Sequence, residues 1–225
     1  MEKIYQDFYN SIIYQDRYQY ILKGVGNTIL IAFFAVILGI LIGIIISLTN
    51  NYHKETNRLK ILNWLGNAYV TIIRGTPSLL QLMIIYYVIF RTVDINLIIV
   101  GSLSFGINSG AYVSEIIRAG IESIDVGQKE AGYALGLSYT KVMNKIVLPQ
   151  AFKNILPALG NEFITLLKET SVASYIGILE LTKAGDIIAS RTYNYFFPLI
   201  IVAIIYLILT TGMARILKRV ERRLR

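Results

Sequence analysis

From residue 24 to residue 53 the chain runs for 30 residues without a lysine, arginine, aspartate or glutamate, and residues 29–48 are almost wholly apolar. A bilayer crossing needs about 20 mainly apolar residues in a helix, because lipid offers no partner to a free backbone amide. A run this long therefore predicts an all-α membrane protein. The composition agrees: 55% of the residues are hydrophobic and 16% are charged, against about 25% charged in soluble domains. The net charge of +8 is not that of a nucleic-acid binder, which clusters its cations on polar, solvated faces. Cysteine is absent and His53 is the single histidine, so disulfide, thiolate and transition-metal chemistry are not expected, nor is any cofactor. Residues 1–20 lack the apolar core and small-residue cleavage site of a signal peptide.

Four further runs follow the first. Residues 61–90 carry one charge, Arg74, and suit one broken crossing. Residues 95–114 are charge-free and continue towards Arg118. Residues 149–168 are interrupted by Lys153 and Glu162, and residues 192–214 are charge-free. Lysine and arginine gather in cytoplasmic loops. Five crossings put 14 of the 22 basic residues on one side, including Lys54, Arg58, Lys60 and the tail from Arg215. Five spans thus place the N-terminus outside and the C-terminus in the cytoplasm, whereas six would split the basic loops between the two sides. Residues 1–20 are then an extracytoplasmic segment, and residues 21–220 a transmembrane domain.

Three spans carry polar residues at helical spacing. The second has Asn63, Asn67, Thr71, Arg74, Ser78 and Gln81. The third has Ser104, Asn108, Glu115 and Arg118, and the fourth Asn161, Glu162, Thr165 and Glu169. Spans 1 and 5 have no such stripe and are expected to face lipid. Serine, threonine and asparagine in these stripes suit helix–helix hydrogen bonds. Ionisable residues inside a membrane are costly, so Arg74 and Glu162 either line a substrate path or form structural ion pairs. Glu115 and Arg118, three residues apart, are expected to pair with each other.

Pro77 lacks an amide proton and its ring clashes with the carbonyl of Ile73, so a helix through residues 61–90 must break near it. Thr76 suits an N-cap and Pro77 a first helical position. The break is either a proline kink or a half-helix start whose amides, beside Arg74, suit a carboxylate. Between the third and fourth spans, residues 127–135 suit a short helix ended by Gly136 in a left-handed conformation. Ser138 suits the cap of a second short helix leading to Pro149. Such a pair reads as a docking element or as a helix on anionic lipid.

The spacing in this connection decides between those two. Glu130-Ala131-Gly132, three residues, Gly136, nine residues, Ile146, one residue and Leu148-Pro149 resemble the EAA signature of the permeases of ABC importers, with Gly132 where the signature has alanine. Arg74-Gly75-Thr76-Pro77-Ser78-Leu79-Leu80-Gln81 resembles the polar amino-acid branch of that family. So do Tyr112, Glu115 and Arg118-Ala119-Gly120, and Gly160-Asn161-Glu162-Phe163-Ile164 leading into Leu167-Lys168-Glu169-Thr170-Ser171. The likeness covers roughly residues 20–220.

The resemblance implies the five-helix fold of type I importer permeases, in the cell membrane. It implies cytoplasmic coupling helices at residues 126–149, which dock on the ATPase through Glu130, Ala131, Tyr133, Gly136 and Leu137. It also implies partners: two ATPase subunits, a second permease copy or close homologue, and an extracytoplasmic amino-acid-binding protein. The chain has no G-x-x-x-x-G-K-[ST] motif, so ATP hydrolysis is assigned to another polypeptide. The expected substrate is an amino acid moving along Thr71, Arg74, Thr76, Asn108, Asn161, Glu162 and Thr165. Arg74 and Thr76 would face its carboxylate and Glu162 a cationic group, favouring arginine, lysine or histidine. A gradient-driven secondary transporter is the alternative, although no internal repeat supports it. An intramembrane enzyme finds no catalytic constellation here.

Overall fold

A short amphipathic helix, α1 (Glu2–Ile12), leads through Gln15 and Asp16, both left-handed, into α2 (Tyr18–Thr56), which contains the first apolar run. The computed structural model describes residues 2–224, and no strand occurs among them. The chain continues with α3 (Lys60–Arg74) and α4 (Ser78–Ile84), the latter extended by a π-helical turn at Ile85–Ile89. Asn96 caps α5 (Leu97–Glu122) by accepting from the Ile98 amide at 2.9 Å. Two short helices, α6 (Val126–Ala134) and α7 (Tyr139–Val142), lead through a π-helical turn into α8 (Leu148–Glu169). A 3-10 turn, α9 (Leu181–Thr192) and α10 (Phe196–Leu224) complete the chain.

Helices stand at all five expected crossings. By length and composition alone, three of them qualify as spans: α2, α5 and α10. The α3–α4 pair passes the same test jointly but is bent by 109°. The break expected at Pro77 is therefore present and is a sharp corner. Ser78 and Gln81 consequently leave the polar stripe of α3 and point from a helix of another direction. The fourth expected crossing, α8, has the expected extent, but Lys153, Glu162, Lys168 and Glu169 dilute its apolar character.

The α2–α5 pair makes the most extensive helix contact in the fold. It corrects the expectation that span 1 simply faces lipid. Thr28, Ala32, Ala35, Gly39, Gly43 and Ser47 of α2 are buried at steps of three and four. Small side chains at this spacing let two backbones approach closely, and in lipid such packing replaces the hydrophobic effect as the cause of helix association. A Cβ added at Gly43 would stand 2.5 Å from Cγ1 of Val113. The opposite face of α2 is exposed through Phe33, Phe34, Leu41 and Ile45, as lipid contact requires. On α10, Ile200, Ile204, Leu207 and Ile208 are likewise exposed.

Contact registers fix the relative directions of the helices. Ile31 meets Gly101, Gly39 meets Ser109 and Gly43 meets Val113, so α2 and α5 run parallel. Gly120 meets Ile155, and Ser123 bonds Asn154 at 2.9 Å, so α8 runs antiparallel to α5. The start of α9 is fastened to both α2 and α10. Fully buried Glu180 accepts from the amides of Thr182 and Lys183 at 2.7 and 2.6 Å and from the Tyr206 hydroxyl at 3.0 Å. Asn27 of α2 donates to the Leu179 carbonyl at 2.7 Å.

Candidate functional site

The corner between α3 and α4 is held by one buried side chain. Gln81 Nε2 donates to the carbonyl of Ile73 at 2.7 Å and to Thr76 Oγ1 at 2.8 Å, with the Thr76 carbonyl at 3.1 Å. These are acceptors at a helix C-terminus that would otherwise lack donors. Its Oε1 accepts from Asn108 Nδ2 of α5 at 2.9 Å. The expected cap is absent. Thr76 donates back to the Ile72 carbonyl at 2.8 Å, and Pro77, extended at φ −63° and ψ 136°, precedes the first residue of α4 without a side-chain cap. Proline removes the helical bond, and Gln81 supplies the replacement.

Arg74 and Glu162, equivalent candidates in the sequence, are separated by their surroundings. Arg74 donates to Glu115 at 3.1 Å and lies over the Tyr112 ring, 5.6 Å from its centroid. Glu115 also receives Arg118 at 2.9 Å, Arg118 reaches Glu122 at 2.6 Å, and Lys54 reaches Glu122 at 3.3 Å. This chain of alternating charges ties α3 and α2 to the last turns of α5. The expected Glu115–Arg118 pair is present, with Arg74 as an added partner. Arg74 is thus neutralised, contrary to its placement beside helix-start amides awaiting a carboxylate.

Glu162 is half-buried and faces Ser109, midway along α5, which donates to its carboxylate at 2.7 Å. Among the described residues, no cation pairs with Glu162. Gly39 of α2 backs Ser109 closely, since a Cβ there would lie 2.8 Å from the serine oxygen. Tyr69 of α3 donates to the carbonyl of Ile107, two residues before Ser109. A cluster of Tyr69, Gln81, Asn108, Ser109 and Glu162 therefore gathers α3, α4, α5 and α8 around the centre of α5. Of the expected residues, Asn108 and Glu162 belong to it. Thr76 joins through Gln81. Thr71 bonds back to the Asn67 carbonyl at 2.8 Å on the exposed side of α3. Asn161 is exposed and Thr165 half-buried on α8, neither bonded to the cluster. Ser109 and Tyr69 escaped the sequence reading because neither lies on a polar stripe. Their one signal was that Ser109 directly follows Asn108.

The 126–149 connection folds as expected, with two refinements. Asp125 caps α6 by accepting from the Gly127 amide at 2.7 Å. The helix ends in a Schellman turn: Leu137 N–H bonds the Gly132 carbonyl at 3.2 Å, and Gly136 N–H bonds that of Tyr133 at 2.9 Å. Gly136 stands at φ +74°, where a side chain is strained. Ser138 precedes α7 in the capping position, but its hydroxyl makes no cap bond. Gly132 is buried where an added Cβ would stand 2.9 Å from Val142 and Ile146, so it admits close approach of α7 and the turn after it. Glu130, Ala131 and Tyr133 are exposed, and Leu137 is half-buried. Tyr139 packs edge-on to Tyr52 at the end of α2, and burial pushes its hydroxyl up to about 12.

Comparison with known proteins bears on this arrangement. Residues 35–225 match the family described as binding-protein-dependent transport system inner membrane component. A putative glutamine transport system permease protein of Rickettsia prowazekii is 40% identical over 213 residues, covering 94% of this chain and 95% of the relative. The arginine transport system permease protein of Bacillus subtilis is 41% identical over 208 residues, covering 92% and 93%. The crystal structure of an amino acid ABC transporter with histidines matches with a TM-score of 0.84 at 42% identity, covering 91% of this chain and 94% of that one.

Proposed function

This chain belongs to the binding-protein-dependent inner membrane components of ABC transport systems, as a non-catalytic amino-acid importer permease, and from that premise we propose that it moves its substrate past Glu162. The observation that carries the reading is the contrast between the two ionisable candidates. Arg74 has its counter-ion in Glu115, whereas among the described residues Glu162 has only the Ser109 hydroxyl. A carboxylate kept in a membrane helix without a cation suits a substrate that brings its own, either an α-ammonium or a basic side chain. Every amino acid has the first of these; the proposed reading takes the second, a basic side chain, and so arginine, lysine or histidine. Among the relatives, one is named for arginine and another for glutamine. None of the findings favours a gradient-driven transporter.

Five crossings with the N-terminus outside form part of this reading, with residues 1–20 as an extracytoplasmic segment and residues 21–220 as the transmembrane domain. Parallel α2 and α5, with α8 antiparallel to them, support a direction that alternates along the chain. Two ATPase subunits would dock at α6 and α7 through Glu130, Ala131, Tyr133, Gly136 and Leu137, and an extracytoplasmic binding protein would deliver substrate. Thr71, Arg74 and Asn161 are polar yet exposed on the single chain. That supports a path completed by a second permease copy, most simply an identical one.

The test is transport by the reconstituted complex. Glu162→Gln replaces a charge-assisted contact, worth about 1.5–3 kcal/mol, by a neutral one of about 1 kcal/mol. Uptake of arginine, lysine or histidine, whichever the complex carries, should fall about tenfold more than uptake of glutamine. Equal losses for both would remove Glu162 from substrate recognition.

A further inference from the structure

The apolar side of α1 is only half covered. Ser11 and Ile12 are buried, and Phe8 meets Phe197 of α10 edge-on with ring centroids 5.9 Å apart. Tyr5, Tyr9 and Ile13 recur at steps of four on the adjoining side, where Tyr5 is 70% and Tyr9 43% exposed and their rings stack at 6.5 Å. Beyond them, Gln6 and Asn10 form a polar edge. Three faces thus divide the helix: one on the protein, one aromatic and open, one polar and open.

The open aromatic face continues onto the places where two long apolar helices begin. Tyr14 and Tyr18 precede or open α2, and both are exposed. Tyr193, Tyr195 and Phe196 stand just before and at the start of α10, Tyr193 at 95% exposure. Arg191 lies over the Tyr20 ring at 5.0 Å, so these two helix starts sit at one end of the bundle. Tyrosine rings favour the lipid–water boundary, where the ring rests in an apolar layer and the hydroxyl reaches water.

We propose that α1 lies in the lipid–water interface, with Tyr5, Tyr9 and Ile13 inserted among phospholipid headgroups and upper acyl chains, and that it forms one aromatic collar with Tyr14, Tyr18, Tyr193, Tyr195 and Phe196. The occupant of the open face is phospholipid. The collar surrounds the starts of two membrane-length helices, and a surface at that level meets lipid whichever side of the membrane it occupies. The inference is therefore independent of the proposed orientation and substrate. Residues 1–17 carry Glu2, Asp7 and Asp16 against Lys3 and Arg17, so insertion rests on apolar and aromatic contact and not on attraction to anionic lipid. An interfacial helix of this kind sits about 5–10 Å into the headgroup–acyl boundary.

The absence of cysteine from the chain permits a clean test on the full-length protein in phosphatidylethanolamine vesicles. Single variants Tyr5→Cys, Tyr9→Cys, Gln6→Cys and Asn10→Cys receive a nitroxide label, and relaxation by oxygen is compared with relaxation by a water-soluble nickel chelate. The oxygen-to-nickel ratio at positions 5 and 9 should exceed that at 6 and 10 several-fold, and should not change with ionic strength. Equal nickel access at all four positions would overturn the proposal by placing α1 in water. Protection of positions 5 and 9 from both reagents would overturn it in favour of a protein partner. Tyr5→Trp in a Trp64→Phe background gives a second reading. Brominated acyl chains should quench its fluorescence more strongly than aqueous acrylamide, and the reverse order would count against insertion.

Discussion

Gln81 carries more weight in the fold than its place in a polar stripe and a motif conveyed. The sequence placed it on the polar face of one broken helix. In the fold it lies beyond a 109° corner and turns back to bond Ile73 and Thr76 while receiving Asn108. Gln81→Leu would leave the Ile73 carbonyl and the Asn108 amide without partners, at about 1–3 kcal/mol each. A clear drop in thermal stability in detergent is expected, whereas Ser78→Ala should leave it nearly unchanged. Arg74 offers the converse case. Glu115 keeps Arg118 when Arg74 is removed, so Arg74→Ala should cost no more than about 1 kcal/mol. Glu115→Ala, which leaves Arg74 unpaired and deprives Arg118 of one partner, should cost more; equal melting temperatures for the two would argue against the ion chain. The Glu115–Arg118 contact was legible because three residues separate its members. The Arg74 contact spans 41 positions, and nothing local announces it.

At the scale of elements, the sequence located the helices better than their contacts. Charge-free runs marked α2, α5 and α10, and Pro77 marked the break, because these are local consequences of solvation and backbone chemistry. The seam between α2 and α5 was overlooked for a physical reason. Glycine and alanine pass as apolar when polar residues are sought, yet smallness is what brings the helices together. Gly43→Val should force α2 from α5 and destabilise the chain by about 1–3 kcal/mol, while Gly26→Val, with open space around it, should not. Thermal unfolding of the purified chain distinguishes the two. In the 126–149 connection, glycine position was legible because a left-handed residue ends a helix in a recognisable way. Gly136→Ala should cost about 1–2 kcal/mol through its positive φ and weaken co-purification of the ATPase, and Gly136→Trp should abolish that association while the permease still inserts. Unchanged association in Gly136→Trp would dismiss the docking role.

For the whole molecule, the basic loops alone supplied the expected orientation, while helix direction bears on the alternation of crossings and not on which side is outside. Single cysteines again give the measurement. A membrane-impermeant maleimide should label Tyr193→Cys from outside intact cells, and Lys141→Cys only after lysis. Labelling of both from outside would refute the five-crossing arrangement. The candidate site was half legible: Asn108 and Glu162 were read from polar residues at helical spacing, but their neighbours depend on how four helices meet.

The two helices that meet at the Ser109–Glu162 hydrogen bond are also the two that enter and leave the α6–α7 unit. Between the end of α5 and α6 lie only Ser123, Ile124 and Asp125, and α7 passes into α8 without a loop. The pair therefore works like a pair of tongs. Its handles are joined by α6 and α7, the proposed docking end, and its jaws meet at the Ser109–Glu162 bond about half the length of α5 away. If α6 and α7 dock the ATPase as proposed, a pull on the handles would change the gap between the jaws with no messenger needed in between.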